Sequence, residues 1–375
     1  MDQSTSARSP ALSYDGQLGE LYGIFLMNLL WTVLTLGIFR FWAITRIRRY
    51  LWSRTRFQGE RFEYTGTGGE LFVGVLLAIL MLIGAVVVSG VLFAVLYAIW
   101  HPLGVLAVLL LYGGIFVVAS GAVFSAQRYK LSRTTWAGIR GGMTGSMLAY
   151  GLRAVLYGIL AGLTLFQMLP WRSVRLAEQR INASSLGNLR FRFRGRARDV
   201  YGPFLLTLLG GLLLLVLIAA GAWTALHGYL PAIQAVMNQR GGAAPSPADL
   251  AVFQRLGWVA IGAFVLLSLG TSLISLWYVA LFERHVIGRT SLGPLRFSST
   301  LTGRGLLWLS LVNMAVLLVT LGLGFPVALQ RTMRFLARNL WVSGALDLPA
   351  LQQGTAPEPR LAEGLFQVLD GGGAI

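Results

Sequence analysis

Residues 71–98 read LFVGVLLAILMLIGAVVVSGVLFAVLYA, without a single Asp, Glu, Lys or Arg. An α-helix needs about 20 apolar residues to cross the roughly 30 Å of hydrocarbon in a bilayer, so this stretch has the length and composition of a full span. Three more runs, at 103–126, 203–226 and 256–282, are equally free of charge. The remaining composition agrees: of 375 residues 55% are hydrophobic and only 12% charged. Soluble domains carry about 25% charged residues. A polytopic membrane protein is expected.

The first residues include Asp2, Arg8, Asp15 and Glu20. They lack the basic-then-apolar pattern of a secretory signal, and no cleaved leader is expected. Cysteine is absent, which excludes disulfides, thiolate metal sites, a cysteine nucleophile and lipid attachment through sulfur. The formal charge of +17 comes from arginine almost alone, since Lys130 is the only lysine. Two readings of that bias stand: the codon usage of a GC-rich bacterial genome, or guanidinium used for bidentate contact with phosphate.

Outward from the spans, the chain resembles itself. Leu34-Thr35-Leu36, then Arg46, Arg61-Phe62 and Tyr64-x-Gly66, recur as Leu163-Thr164-Leu165, Arg175, Arg190-Phe191 and Phe193-x-Gly195. Asn28, Thr35, Leu36, Gly37, Arg46 and Arg49 return in register as Asn313, Thr320, Leu321, Gly322, Arg331 and Arg334. Shared polar positions argue for an internal repeat. A hook signature occurs as SRTRFQGERF from 53, SRTTWAGIRG from 132, NASSLGNLRF from 182 and GRTSLGPLRF from 288. Alternation around turn formers such as Gly59 or Gly187-Asn188 predicts short β-hairpins, with aromatics on one side and guanidinium groups on the other. A third pattern, aromatic-x-Gly and then an acid, runs Tyr14, Gly16, Glu20; Tyr64, Gly66, Glu70; and Phe193, Gly195, Asp199. An acid in the first turn of a helix is favoured by the positive N-terminal dipole, and this structural reading stands beside a catalytic or ion-binding one. The expected organisation is a tail at 1–13, membrane repeat units at 14–142 and 143–296, a partial unit at 297–346, and a flexible tail at 347–375.

Positive charge is concentrated in 40–61, 128–140, 172–198, 284–304 and 331–338. The connector at 99–102 has no Lys or Arg, and that at 227–255 has only Arg240 and Arg255 against Asp249. By the positive-inside rule the hooks are cytoplasmic and these two connectors external. Segments 20–44, 146–170 and 305–330 then lie between two cytoplasmic sides. Each carries helix breakers, namely Gly37, Pro170, or Gly322 with Gly324 and Pro326. They are expected to be re-entrant or broken helices, with four full spans and both termini inside. A seven-span arrangement that puts 172–198 outside is the alternative.

Residues 21–71 contain Thr35-Leu36-Gly37-x-Phe39-x-x-Trp42, several arginines, and then Arg54-Thr55-Arg56-Phe57-Gln58-Gly59. This run resembles the YjgN family of bacterial inner-membrane proteins, a domain of unknown function. RYKLSRTTWAGIR at 128–140 is similar to the second half of that family. The resemblance covers roughly residues 14–345 and is interrupted by the connector at 227–256. It implies inner-membrane location and no chemistry, so no catalytic residues carry over.

His101, His227 and His285 form no pair at i,i+3 or i,i+4, and a metal site is not expected. Neither G-x-S-x-G, S-x-x-K nor a phosphate-binding glycine loop occurs. Gly210-Gly211 and Gly262 are expected to permit close helix packing. The four apolar runs hold no acid, histidine or lysine, which weakens the case for a proton-driven pump. Asn28, Thr35, Thr164, Asn313 and Thr320 stay polar within the broken segments, either bonding freed backbone groups or lining a midplane path. Arg46, Arg49, Arg61, Arg140, Arg175, Arg190, Arg296, Arg331 and Arg334, with Trp42, Trp52, Trp136, Trp171, Phe57 and Tyr64, would rest at the inner headgroup layer against lipid phosphate.

The sequence therefore predicts an all-α integral membrane protein of the bacterial inner membrane. It would be an internally repeated helical bundle with re-entrant or broken helices and short cytoplasmic β-hairpin hooks. No enzymatic activity, cofactor, metal or nucleic acid is expected; the partners are membrane lipids, anionic phospholipid above all. The alternative is a pore or transporter for a small uncharged solute, lined by Asn28, Asn313 and the three threonines.

Overall fold

A computed structural model of the chain describes residues 9–231, 233–234 and 247–354. In order these form β1 (Ser9–Pro10), β2 (Leu12–Tyr14), α1 (Leu18–Leu34), α2 (Arg40–Ser53), β3 (Thr55–Phe57), β4 (Glu60–Tyr64), α3 (Gly68–Ile99) and α4 (His101–Ser132). Next come β5 (Thr134–Trp136), β6 (Ile139–Met143), α5 (Met147–Leu163), α6 (Leu169–Ala183), β7 (Ser184–Leu186), β8 (Leu189–Phe193) and α7 (Arg198–Leu226). The chain closes with α8 (Pro247–Gly288), β9 (Thr290–Leu292), β10 (Leu295–Ser299), α9 (Gly303–Val319), α10 (Phe325–Asn339) and β11 (Leu340–Ser343).

Every hook is a two-residue β-hairpin, and its turn residues say why. Gln58-Gly59 (φ 46° and 90°) and Ala137-Gly138 (φ 49° and 75°) are left-handed at both central positions, whereas Gly187-Asn188 and Gly293-Pro294 are so only at the first, each with φ 55°. These are the primed turns whose twist matches that of two antiparallel strands. The hook hydroxyl ties each hairpin to the helix before it. Thr55, Thr134, Ser184 and Thr290 donate at 2.7–2.8 Å to the carbonyls of Leu51, Lys130, Arg180 and Val286, in the last turn where the helical ladder runs out.

The all-α expectation is overturned here. The hairpins do not stand alone but join edge to edge in one antiparallel sheet of 11 strands, ordered β1-β11-β10-β9-β8-β7-β6-β5-β4-β3-β2. The second strand of each hairpin is divided between two partners. Arg61 pairs with Arg56 of its own hairpin, and Phe62–Tyr64 pair with Trp136–Thr134 of the next. The same handover repeats from β6 to β7, from β8 to β9 and from β10 to β11. At the ends of this order lie β1 and β2, the two halves of residues 9–14; β1 pairs with β11 and β2 with β3. The sheet thus nearly closes on itself like a barrel. The physical reason is that three-residue strands leave a row of unpaired N–H and C=O groups on each flank, and closure removes such edges.

The interior of the sheet is packed. Trp136 is completely buried and donates its indole N–H to the carbonyl of Phe57 at 3.0 Å. Around it Phe57, Leu292, Leu295, Val342 and Ala11 form one core, with Phe62, Phe191 and Phe297 packed against them. Of the tail expected from 347, the residues up to 354 are described. Leu351 is buried in this core, and the Gln352 carbonyl accepts from the Asn188 N–H at 3.0 Å. The rest of that tail, 355–375, lies outside the described residues.

The chain divides into two units, one comprising residues up to 197 with 284–300 and 309 onward, the other 198–283 with 301–308. In the first unit, α3 and α4 are two of the four helices long and apolar enough to cross a membrane; α7 and α8, in the second, are the others. In the first unit α4 and α5 approach closely: a Cβ on Gly151 would collide with the carbonyl oxygen of Val117 and one on Gly121 with that of Met147. In the second unit α7 and α8 run antiparallel through Phe204 on Tyr278 (5.8 Å between centroids) and Gly210 beside Ile274. Gly211 and Gly262 face open space and make no close contact; Gly270, packed on Leu214, is the tight position instead.

Trp136→Ala should cost ~3–5 kcal/mol, the usual loss for emptying a fully buried large site. Thermal unfolding of the detergent-solubilised protein checks it; an unchanged Tm would mean that the sheet interior does not hold the fold together.

Candidate functional site

Helical hairpins α1–α2, α5–α6 and α9–α10 share one turn. Leu36 and Gly37, Leu165 and Phe166, and Leu321 and Gly322 have positive φ. The reversal exposes backbone amides, and a threonine answers each time. Thr35, Thr164 and Thr320 donate to carbonyls in the preceding helical turn and accept from the N–H of Phe39, Met168 and Gly324. Asn28 and Asn313 sit deeper. Asn28 donates to the carbonyl of Ala43 (3.4 Å), and Asn313 to that of Ala328 (3.3 Å) and to Thr332 Oγ1 (3.1 Å), pinning the first helix of each pair to the second. These side chains are thus engaged within their own helical hairpins.

The tips are apolar and bare. Leu36, Leu165 and Leu321 are 95%, 81% and 93% exposed, with Val33, Leu163 and Val319 open beside them. An arginine follows nine residues after the left-handed pair, at Arg46, Arg175 and Arg331. At 1.5 Å per residue that is about 14 Å along the helix. Arg46 rests over the Phe39 ring at 5.1 Å, Arg175 pairs with Glu178 at 2.9 Å, and the Arg331 Nε donates to Asn313 Oδ1 at 3.2 Å. One turn further, Arg49 and Arg334 are exposed.

The other candidate arginines belong to the sheet. Arg61, Arg140, Arg190 and Arg296 occupy matching positions on the second strand of each hairpin, where Arg140, Arg190 and Arg296 stand opposite Thr135, Ser185 and Ser291. Arg61 stands opposite Arg56, a repulsive pairing that Asp15 relieves: its carboxylate lies 2.6 Å from Arg61 and 3.5 Å from Arg56. The nine arginines therefore form two groups, one on the outer wall of the sheet and one on the short helices. The structure does not bring them to a single point.

The aromatic-x-Gly-acid pattern resolves into a corner. The Tyr14, Tyr64 and Phe193 rings fold over Gly16, Gly66 and Gly195, where any Cβ would strike the ring. The acid then receives the arginine that follows a helix end: Glu20 takes two bonds from Arg54 (2.7 and 2.8 Å), and Glu70 takes Arg133 (2.8 Å) and the Tyr129 hydroxyl (2.7 Å). Burial pushes the Tyr14 hydroxyl up to about 12 and raises that of Tyr64, so both stay protonated. These arginine partners were not singled out in the sequence, although the recurrent Ser-Arg-Thr of 53–55 and 132–134 marks them. Among the described residues no three His, Asp or Glu side chains converge as metal ligands. His101 lies edge-on to Tyr97, and the His227 Nδ1 is 3.0 Å from the Thr224 carbonyl oxygen.

Four long apolar helices, short helical hairpins with bare tips and a basic sheet define a non-soluble class, a helical membrane protein with a packed β-core. The chain belongs to a family described as a bacterial protein of unknown function (DUF898), which it matches over residues 9–368. It is similar to the inner membrane protein YjgN of Salmonella typhimurium, at 27% identity over 92% of this chain and 91% of that protein. A protein of the same name from Escherichia coli O157:H7 is 23% identical over 91% of this chain and 90% of its own length. That of E. coli K12 is 40% identical over 18% of this chain and 19% of its own. No solved structure matches.

The hydrogen bond from Arg61 holds the Asp15 carboxyl below its ordinary range. Stability from a lowered carboxyl is present above the unfolded pKa, about 3.9 for Asp, and is lost as pH falls through the lower folded value. Proteolytic nicking near residues 9–16 should therefore begin only in strong acid, and Asp15→Asn should remove that acid dependence. A variant that keeps the wild-type acid profile would deny Asp15 this role.

Proposed function

We propose that the chain is a non-catalytic multi-pass protein of the inner membrane, with its sheet in the cytoplasm and its short helical hairpins half-inserted in the inner leaflet against anionic phospholipid. One observation carries the reading: each bare apolar tip is followed, about 14 Å along the helix, by an arginine. Half of a bilayer's hydrocarbon is roughly 15 Å. A tip at the midplane then sets Arg46, Arg175 and Arg331 at the depth of lipid phosphate, where guanidinium bonds well. Arg40, three residues after Gly37, is the charge nearest a tip, and a chain of its length reaches the headgroups by snorkelling.

Strand pairing supports the same topology. β6 is hydrogen-bonded to β7 through Gly141–Leu186, Gly142–Ser185 and Met143–Ser184, so both ends of α5–α6 belong on one side. A seven-span arrangement would part these strands across the bilayer. Matching turns and asparagine bonds in α1–α2 and α9–α10 further support an internal repeat.

Because the chain has no cysteine, single replacements report sidedness cleanly. Glu60→Cys and Arg190→Cys should react with an impermeant thiol reagent from the cytoplasm and His101→Cys from the periplasm; Arg190→Cys reacting beside His101→Cys overturns the topology. A nitroxide at Leu165→Cys should collide more with oxygen than with a water-soluble nickel chelate. In bilayers mixing phosphatidylethanolamine and phosphatidylglycerol, native mass spectrometry should find the anionic lipid preferentially retained, and equal retention would reject the lipid reading.

A further inference from the structure

Between α1 and α2 lies an open groove of about 490 Å³, walled by Ile24 and Met27 on one side and by Arg46 and Arg49 on the other, with Asn28 among its lining residues. We propose that this groove binds one phosphate diester, the glycerol-phosphate headgroup of a single anionic phospholipid, between the two guanidinium groups; the assignment rests on the lipid-facing reading above.

Arg46 and Arg49 are three residues apart on α2 and so project from one helix face. Among the described residues neither meets a carboxylate: Arg46 lies over Phe39, and Arg49 reaches only the Gly66 carbonyl at 3.4 Å. By comparison, Arg54, Arg61, Arg133 and Arg175 each hold an acid. Two guanidinium groups facing one opening match the oxygens of a phosphate, which a fork of N–H donors binds in pairs.

Asn28 supplies the independent observation. It is 97% buried by its 3% exposure, and its Oδ1 has no hydrogen-bond partner. The corresponding Asn313 is satisfied, because its Oδ1 accepts from Arg331 Nε, 18 residues on. Arg46 stands at the same separation from Asn28 but leaves it alone and remains at the groove. One helical hairpin thus spends its arginine Nε–H on its own asparagine, while the other leaves the asparagine oxygen open to a ligand. The vacant acceptor at the groove calls for a donor, which a glycerol hydroxyl provides and a bare phosphate diester does not. Ile24, Met27 and the open side of Gly23, where an added Cβ would meet nothing within 4 Å, offer an apolar path for the acyl chains.

The test is native mass spectrometry of the detergent-purified full chain titrated with phosphatidylglycerol. Wild type should retain one lipid at low ratio, Arg46→Ala with Arg49→Ala should weaken it at least about tenfold, and Arg331→Ala with Arg334→Ala should change it less than about twofold. Arg46→Lys with Arg49→Lys keeps the charge and guards against misfolding; it should also weaken retention, because the fork is lost. Asn28→Asp should weaken it by capturing Arg46. Equal effects of the two alanine pairs would overturn the single site while leaving the wider lipid reading intact, and no lipid retained by wild type would overturn both. Inorganic phosphate raising the Tm of delipidated protein, with the same Arg46 dependence, would reassign the groove to a soluble phosphate and overturn the lipid as its source.

Discussion

A strand of three residues cannot satisfy its backbone by pairing on one side alone, and this constraint governs the first unit. Each hook has one short strand and one longer strand that outruns its partner, as β4 does when Phe62–Tyr64 extend beyond β3. The overhang must find a second partner or leave N–H and C=O groups unpaired in a buried setting. It finds the next hook. Repeated from hook to hook, the handover makes a sheet out of pieces that none of the segments could stabilise separately.

The helices inherit their placement from that sheet. A hydroxyl at each hook closes the last turn of the preceding helix, and after two of the hooks an aromatic ring, Tyr64 or Phe193, folds on a glycine to start the following one. Between these fixed points the chain inserts either a pair of short helices with a threonine-capped reversal or a pair long enough to cross a bilayer. The arginines of the sheet and those of the short helices consequently differ in environment. The first face serines, threonines and Asp15, and the second lie beside apolar surface that water does not favour.

Much of this was readable from residues. The four long apolar runs follow from composition, and the turn chemistry of Gln58-Gly59 or Gly293-Pro294 announces a reversal between strands. What escaped was the partner of each outer edge. Trp136 meets Phe62, and Trp341 meets Pro10, contacts between distant residues for which no local pattern codes. For that reason the hooks looked like appendages of a helical bundle, when their apolar faces form its largest buried core. At the candidate site, register alone picked out Asn28 with Arg46 and Asn313 with Arg331. The two pairs have identical residues and spacing, so the pairs alone did not show that the second bonds and the first does not; the second copy also holds its asparagine through Thr332, where the first has Ile47.

Residues 9–14 are synthesised long before β11, yet β1 rests against it. β1 can pair with β11 only after residue 343 has left the ribosome. Until then the leading segment holds at most its contact with β3, and the growing sheet keeps one open flank. Biogenesis of this protein is therefore a problem of waiting: the first strand must stay unaggregated while some 300 residues of greasy chain are delivered behind it.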